Sequence, residues 1–155
     1  MPHQILPYVP NLLKTKPFVL LIDDDQDDME MLSTSLEQQG IKTKGFDLGE
    51  NALYYLNLIS EERQFPSLII LDYNMPRING QQMLMLIKQT LIVKHIPVIL
   101  YSTYISPVLE NILQKLGAYE CITKANTQKD FFNQVDKFKE LAYLFHSKHE
   151  LLADP

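Results

Sequence analysis

The sequence predicts an α/β fold: a doubly wound, five-stranded parallel sheet with helices on both faces. Three observations predict it. Five short apolar runs recur along the chain, each followed by a segment with helical spacing. Three of these runs are nearly continuous in apolar residues rather than alternating, the pattern of parallel strands covered on both faces. The 155 residues amount to about one domain, so the five units share a single core.

The runs expected as strands are Phe18–Ile22, Thr43–Phe46, Leu68–Leu71, Pro97–Tyr101 and Ala118–Thr123. In the first helical segment, Asp27 followed by Glu30 resembles a capping box. Met29, Leu32 and Leu36 share its apolar face, and Gly40 supplies a stop. The second segment gathers Ala52, Leu53, Leu56 and Ile59. The third begins after Gly80 with Leu84, Ile87 and Leu91 on its stripe. The fourth has Ser106 as N-cap, Pro107 in the first helical position and Gly117 at its end. Its expected stripe is Val108, Leu109, Ile112, Leu113 and Leu116. The fifth starts near Thr127 and repeats Phe131, Phe132, Val135, Phe138, Leu141, Ala142 and Phe145 at helical spacing.

These units fill residues 17–146. They leave a proline-containing arm, 1–16, and a tail, 147–155. Pro2, Pro7 and Pro10 interrupt any helix in the arm, where Tyr8, Leu12 and Leu13 are candidates for docking on a partner. The arm also lacks the charged start and apolar stretch of a signal peptide.

Composition narrows the function. With 46% apolar and 21% charged residues the chain has the makeup of a folded globular domain. Fourteen basic residues against 19 acidic give a net charge of −5, which argues against direct binding to nucleic acid or an anionic membrane. No apolar run has the length of a membrane span. The lone Cys121 points to a reducing compartment, so a cytoplasmic location is expected. Six of the 19 acids lie between Asp23 and Glu30; without them the tally is 14 basic against 13 acidic. The acidity is local.

In an open parallel sheet, sites form at the carboxyl ends of the strands. After the first run stand Asp23, Asp24, Asp25, Asp27 and Asp28. After the third come Asp72, Tyr73, Asn74 and, further on, Gly80. After the fourth come Ser102, Thr103 and Tyr104, and after the fifth Lys124. Carboxylates within about 4–6 Å of one another repel unless a cation neutralises them. Oxygen donors with no His or Cys beside them favour Mg²⁺. A carboxylate is also a competent nucleophile toward phosphorus, with a cation, a lysine and a hydroxyl holding the phosphoryl oxygens. The set suggests phosphoryl transfer onto Asp72.

Taken in order, LIDDDQDD, LIILDYNMPRINGQQM, PVILYST and GAYECITK resemble the receiver (CheY-like) domain of two-component response regulators. The resemblance covers nearly the whole chain and implies a flavodoxin-like sheet of strand order 2-1-3-4-5. It implies Asp72 as phosphoacceptor, and a Mg²⁺ site from Asp23, Asp24, Asp72 and the backbone carbonyl of Asn74. Ser102 matches the switch hydroxyl, Lys124 the phosphate-contacting lysine and Gly80 the glycine after the phosphorylated strand. It further implies a single-domain regulator that is a phosphoacceptor rather than an enzyme. The expected donor is a sensor histidine kinase or a phosphotransfer protein, and the output is contact with a downstream effector protein. The tail beyond Phe145, with Leu151 and Leu152, is a candidate for that contact or for a homodimer.

Three departures from the family pattern stand out. Ala125 follows Lys124 where the family usually has a cis-proline. A non-proline cis bond costs about 2.5–4 kcal/mol, so this bond is expected to be trans or to add strain. Cys121 replaces the switch aromatic, with Tyr101 and Tyr119 as candidate substitutes. Tyr104 is bulky where it would overhang an acyl phosphate and slow its hydrolysis. These departures give a rival reading, a pseudo-receiver that acts without phosphorylation. An aspartyl-nucleophile phosphohydrolase ranks lower, because Asn74 stands where such enzymes carry a second acid. His146 and His149, three residues apart with no acid in register, do not make a metal site.

Overall fold

A computed structural model describes residues 15–62 and 64–153. Strands and helices alternate as β1 (Phe18–Ile22), α1 (Gln26–Gln38), β2 (Lys42–Phe46), α2 (Gly49–Glu62), β3 (Leu68–Leu71), α3 (Gly80–Gln89), β4 (Val98–Ser102), α4 (Pro107–Lys115), β5 (Glu120–Thr123) and α5 (Gln128–Ala153). All pairings are parallel and the order is β2-β1-β3-β4-β5, as the sequence predicts. Tyr8, Leu12 and Leu13 of the arm lie outside the described residues, as do the side chains of Leu151 and Leu152.

Period-two alternation sorts the strand residues into two cores. Val19, Leu21, Leu68, Ile70, Ile99 and Tyr101 face α1 and α5, meeting Leu32, Leu36, Phe131, Val135, Phe138 and Ala142. Leu20, Ile22, Ile69, Leu71, Val98 and Leu100 face α2, α3 and α4. The three central strands are buried on both sides, so their continuous apolar runs follow from position. Each fully buried Leu or Ile contributes about 2 kcal/mol. The edge strands differ: β2 reads KTKGF with Lys42 and Lys44, and Glu120 of β5 pairs with Lys137.

Several local expectations need correction. The N-cap of α1 is Asp25, two residues before Asp27; its carboxylate accepts from the backbone N–H groups of Asp27 and Asp28. The start lies there because Asp25 keeps an extended backbone while Asp27 already sits in the first turn. Leu91 is 76% exposed, since α3 stops at Gln89 and the chain turns away; Met83 takes a buried place on that helix instead. In α4 only Leu113 is buried. Val108 and Ile112 face outward because the helix rests on the sheet by one narrow edge. By contrast, Ser106 caps α4, and α1 ends at Gly40 with φ +84°.

Helix α5 continues past residue 146 to Ala153, so the expected tail is helical through that residue. Its last turns cross the amino end of the sheet. There Glu150 accepts from the Thr15 N–H (2.9 Å) and hydroxyl (2.6 Å), and the His95 and His149 rings meet at 4.7 Å, tilted by 60°. The Lys88 ammonium donates to the carbonyls of Lys94 and Ile96 at 3.0 and 2.8 Å.

Candidate functional site

The first, third and fifth strands each deliver one charged side chain to the same end of the sheet. The Asp72 N–H donates to the carbonyl of Ile22 at 2.8 Å, and that of Asp23 to Phe46 at 3.0 Å, so each residue continues its strand's ladder by one step. In the same way the Lys124 N–H donates to the Ser102 carbonyl at 2.8 Å. Asp23, Asp72 and Lys124 also continue the alternation that faces α1 and α5, and this common parity brings them together. Carboxylate oxygens of Asp23, Asp24 and Asp72 lie within 4.8 Å of one another. Asp24 and Asp72 border an open pocket of about 620 Å³ lined also by Asp28, Asn74, Thr103 and Lys124.

Burial sets the electrostatics. Asp72 is 6% exposed and one of its oxygens accepts from the Tyr73 N–H at 2.8 Å. Burial, and then the charge of Asp23, push its carboxyl up to about 6 against the relief given by Lys124. Asp23 is also held above its ordinary value, because desolvation outweighs its Lys124 and Asp25 contacts. Burial alone would lower Lys124, yet its ammonium is held above the usual value by hydrogen bonds to Asp23 (2.6 Å) and Asp28 (2.9 Å). The raised Asp23 and Asp72 carboxyls fit one ammonium shared among several carboxylates.

Ser102 is fully buried, and its hydroxyl has no hydrogen-bond partner among the described residues. It lies close enough to Asp72 to favour the carboxylate, but without normal hydrogen-bond geometry. A buried hydroxyl left unpaired costs about 1–3 kcal/mol. Gly80 permits the tight loop after β3: a Cβ there would stand 2.6 Å from both the Asp72 carbonyl oxygen and Tyr73 Cα. The Gly80 N–H closes that loop onto the Tyr73 carbonyl at 2.8 Å.

The remaining expected residues scatter. Thr103 borders the pocket. Tyr104 is 69% exposed and is not among the residues lining it. Tyr101 packs inward against Phe138, and its hydroxyl donates to Gln134 at 2.7 Å; burial pushes that hydroxyl up to about 12. Cys121 sits against the opposite core, where burial pushes its thiol up to about 11. Tyr119 meets Phe145 of α5 edge to face at 5.1 Å. The Lys124–Ala125 bond is trans, as are all peptide bonds among the described residues. The sequence reading overlooked Asp28 as the second partner of Lys124. An acid three residues after an Asp N-cap was the available signal.

Residues 19–136 match the response regulator receiver domain family. The chain belongs to that family. Protein RcaC of Microchaete diplosiphon is 27% identical over 137 residues, covering 86% of this chain and 20% of RcaC. The solved structure of the phosphorylated cyanobacterial phytochrome response regulator RcpA superposes with a TM-score of 0.74 at 25% identity, covering 83% of this chain and 94% of that one. The Mn²⁺-bound form of response regulator Rcp1 gives 0.68 at 27% identity, covering 80% and 92%. The chain spans between a fifth and a half of the length of RcaC and two other curated relatives, CpxR homolog of Haemophilus influenzae and CheV1 of Helicobacter pylori. It is thus a receiver domain of two-component signalling, and among its described residues no helix is long and apolar enough to cross a membrane.

Proposed function

We propose that this receiver accepts a phosphoryl group on Asp72 with Mg²⁺ in the acidic pocket, and that its output is contact with another protein. The observation that carries this reading is the convergence of Asp23, Asp24 and Asp72 beside Lys124 and the unpaired Ser102 hydroxyl. The pocket fits a hard cation: its clustered carboxylates offer oxygen donors only, and burial together with the Asp23 charge holds Asp72 up to about 6. Asp23, Asp24 and Asp72, with the Asn74 carbonyl, would hold the ion, which when bound would neutralise charge on the carboxylates and on an incoming phosphate.

An Asp72 oxygen attacks phosphorus, the bond to the donor's leaving group breaks, and that group departs with the electron pair. Lys124 and the Ser102 hydroxyl then satisfy oxygens of the new acyl phosphate. Ser102 has an uncommitted hydroxyl for this purpose, and its movement would bias α4, β5 and α5 between two surfaces. The donor is a sensor histidine kinase or a phosphotransfer protein, and the recipient of the signal is an effector protein. The structures of phosphorylated RcpA and Mn²⁺-bound Rcp1 support the reading by likeness. The chain is a phosphoacceptor rather than a turnover enzyme.

Incubation with Mg²⁺ and acetyl phosphate, followed by intact mass, tests this. A stoichiometric phosphoryl adduct is expected, and it is lost in Asp72→Ala. No adduct on the intact chain would favour a pseudo-receiver, and rapid release of inorganic phosphate from phosphate esters would favour a hydrolase.

A further inference from the structure

The structure assigns Asp28 a part in the reaction: it is a positioning residue that tethers Lys124 on the α1 side of the pocket and sets how readily the ammonium meets a phosphoryl group on Asp72. This role rests on the function proposed above.

The ammonium has three N–H donors, and two are committed, to Asp23 at 2.6 Å and to Asp28 at 2.9 Å. Asp72 acts on Lys124 only through space. The local sequence explains why Asp28 is available. Asp25 caps α1, which puts Asp28 at the third helical position. In a capping box the side chain at that position returns to the N–H of the cap residue. Here the Asp25 N–H already donates to Asp23 at 2.9 Å, so the Asp28 carboxylate is left to reach across to Lys124. The two arms of the tether are unequal. The Asp23 side chain is 11% exposed and the Asp28 side chain 38%, so Asp28 is the better hydrated arm and the one that releases. Asp27 supplies a matched control: it borders the same pocket and carries the same charge, but makes no bond to Lys124 among the described residues.

Two measurements on the full chain test the role. The first is the rate at which Lys124 is reductively methylated without Mg²⁺, read by peptide mass. Asp28→Asn is expected to raise it about fivefold, whereas Asp28→Glu, which keeps the ion pair, and Asp27→Asn stay near the parent rate. The second is the rate of phosphorylation by acetyl phosphate with Mg²⁺, where Asp28→Asn is expected to exceed Asp27→Asn by about threefold. If Lys124 reacts no faster in Asp28→Asn, or if Asp27→Asn matches it in both assays, the tether is wrong and any rate gain is simple loss of charge. An adduct on the parent chain with an unmoved Lys124 overturns the tether alone. Absence of any adduct on the parent chain overturns the reading on which the role rests, and the role with it.

Discussion

At the carboxyl ends of the strands, buried charges of one sign face each other around a single ammonium, and the Ser102 hydroxyl goes unpaired. At the amino ends, the polar groups find partners: Lys88 on two carbonyls, Thr15 on Glu150, and His95 against His149. The two ends also titrate in opposite senses. Asp72 and Asp23 are held above the ordinary carboxyl value, so the folded state binds protons more tightly there than the unfolded chain does. Stability contributed by that end falls as pH rises from about 4 to about 6. His95 and His149 are held below the ordinary imidazole value, chiefly by burial, so stability contributed by the amino end falls as pH drops below 6.5. The carboxyl end keeps unrelieved charge and an unpaired hydroxyl, and the opposite end is fastened.

The largest test of this contrast is Asp72→Asn. Removing the buried charge is expected to stabilise the protein at pH 8 by about 2 kcal/mol, and the gain should vanish toward about pH 3, where the parent carboxyl is largely protonated in both states. Thermal unfolding across that range reads the effect, and a loss of stability at pH 8 would break the contrast. A smaller effect is expected at the other end. In the Asp72→Asn background, His149→Gln should flatten the decline in melting temperature between pH 7 and pH 5.5, because one of the two adjoining imidazoles can no longer gain a proton. An unchanged slope would assign the decline elsewhere. The smallest effect is expected from Tyr104→Ala. With its ring exposed and off the pocket lining, decay of the phosphorylated form should change by less than about twofold. Several-fold faster decay would restore Tyr104 as a shield.

The sequence disclosed the sheet and its acidic end well, for definite reasons. Central strands covered on both faces must be continuously apolar, so β1 and β3 were legible to the residue. Asp23 and Asp72 were legible because each directly follows such a run, and Lys124 because it follows the last strand. What stayed hidden depends on distance in sequence or on depth of burial. The His95–His149 contact joins residues 54 apart in number on elements whose packing no local pattern encodes. Likewise the stripe of α4 was apolar in sequence, but spacing does not say how far a helix sinks into its sheet, and Val108 remains 72% exposed. Asp28 was visible only as one acid among six.

The charged rims of the sheet have a further consequence. Lys42 and Lys44 stand on one border strand and Glu120 on the other, the two borders among the described residues where another strand could add. When helices loosen during folding, a border strand that meets its own counterpart on a neighbouring molecule therefore meets like charge. Pairing of either border with its own copy, the simplest route to a fibre, is thereby opposed by charges that the native fold leaves at its rim.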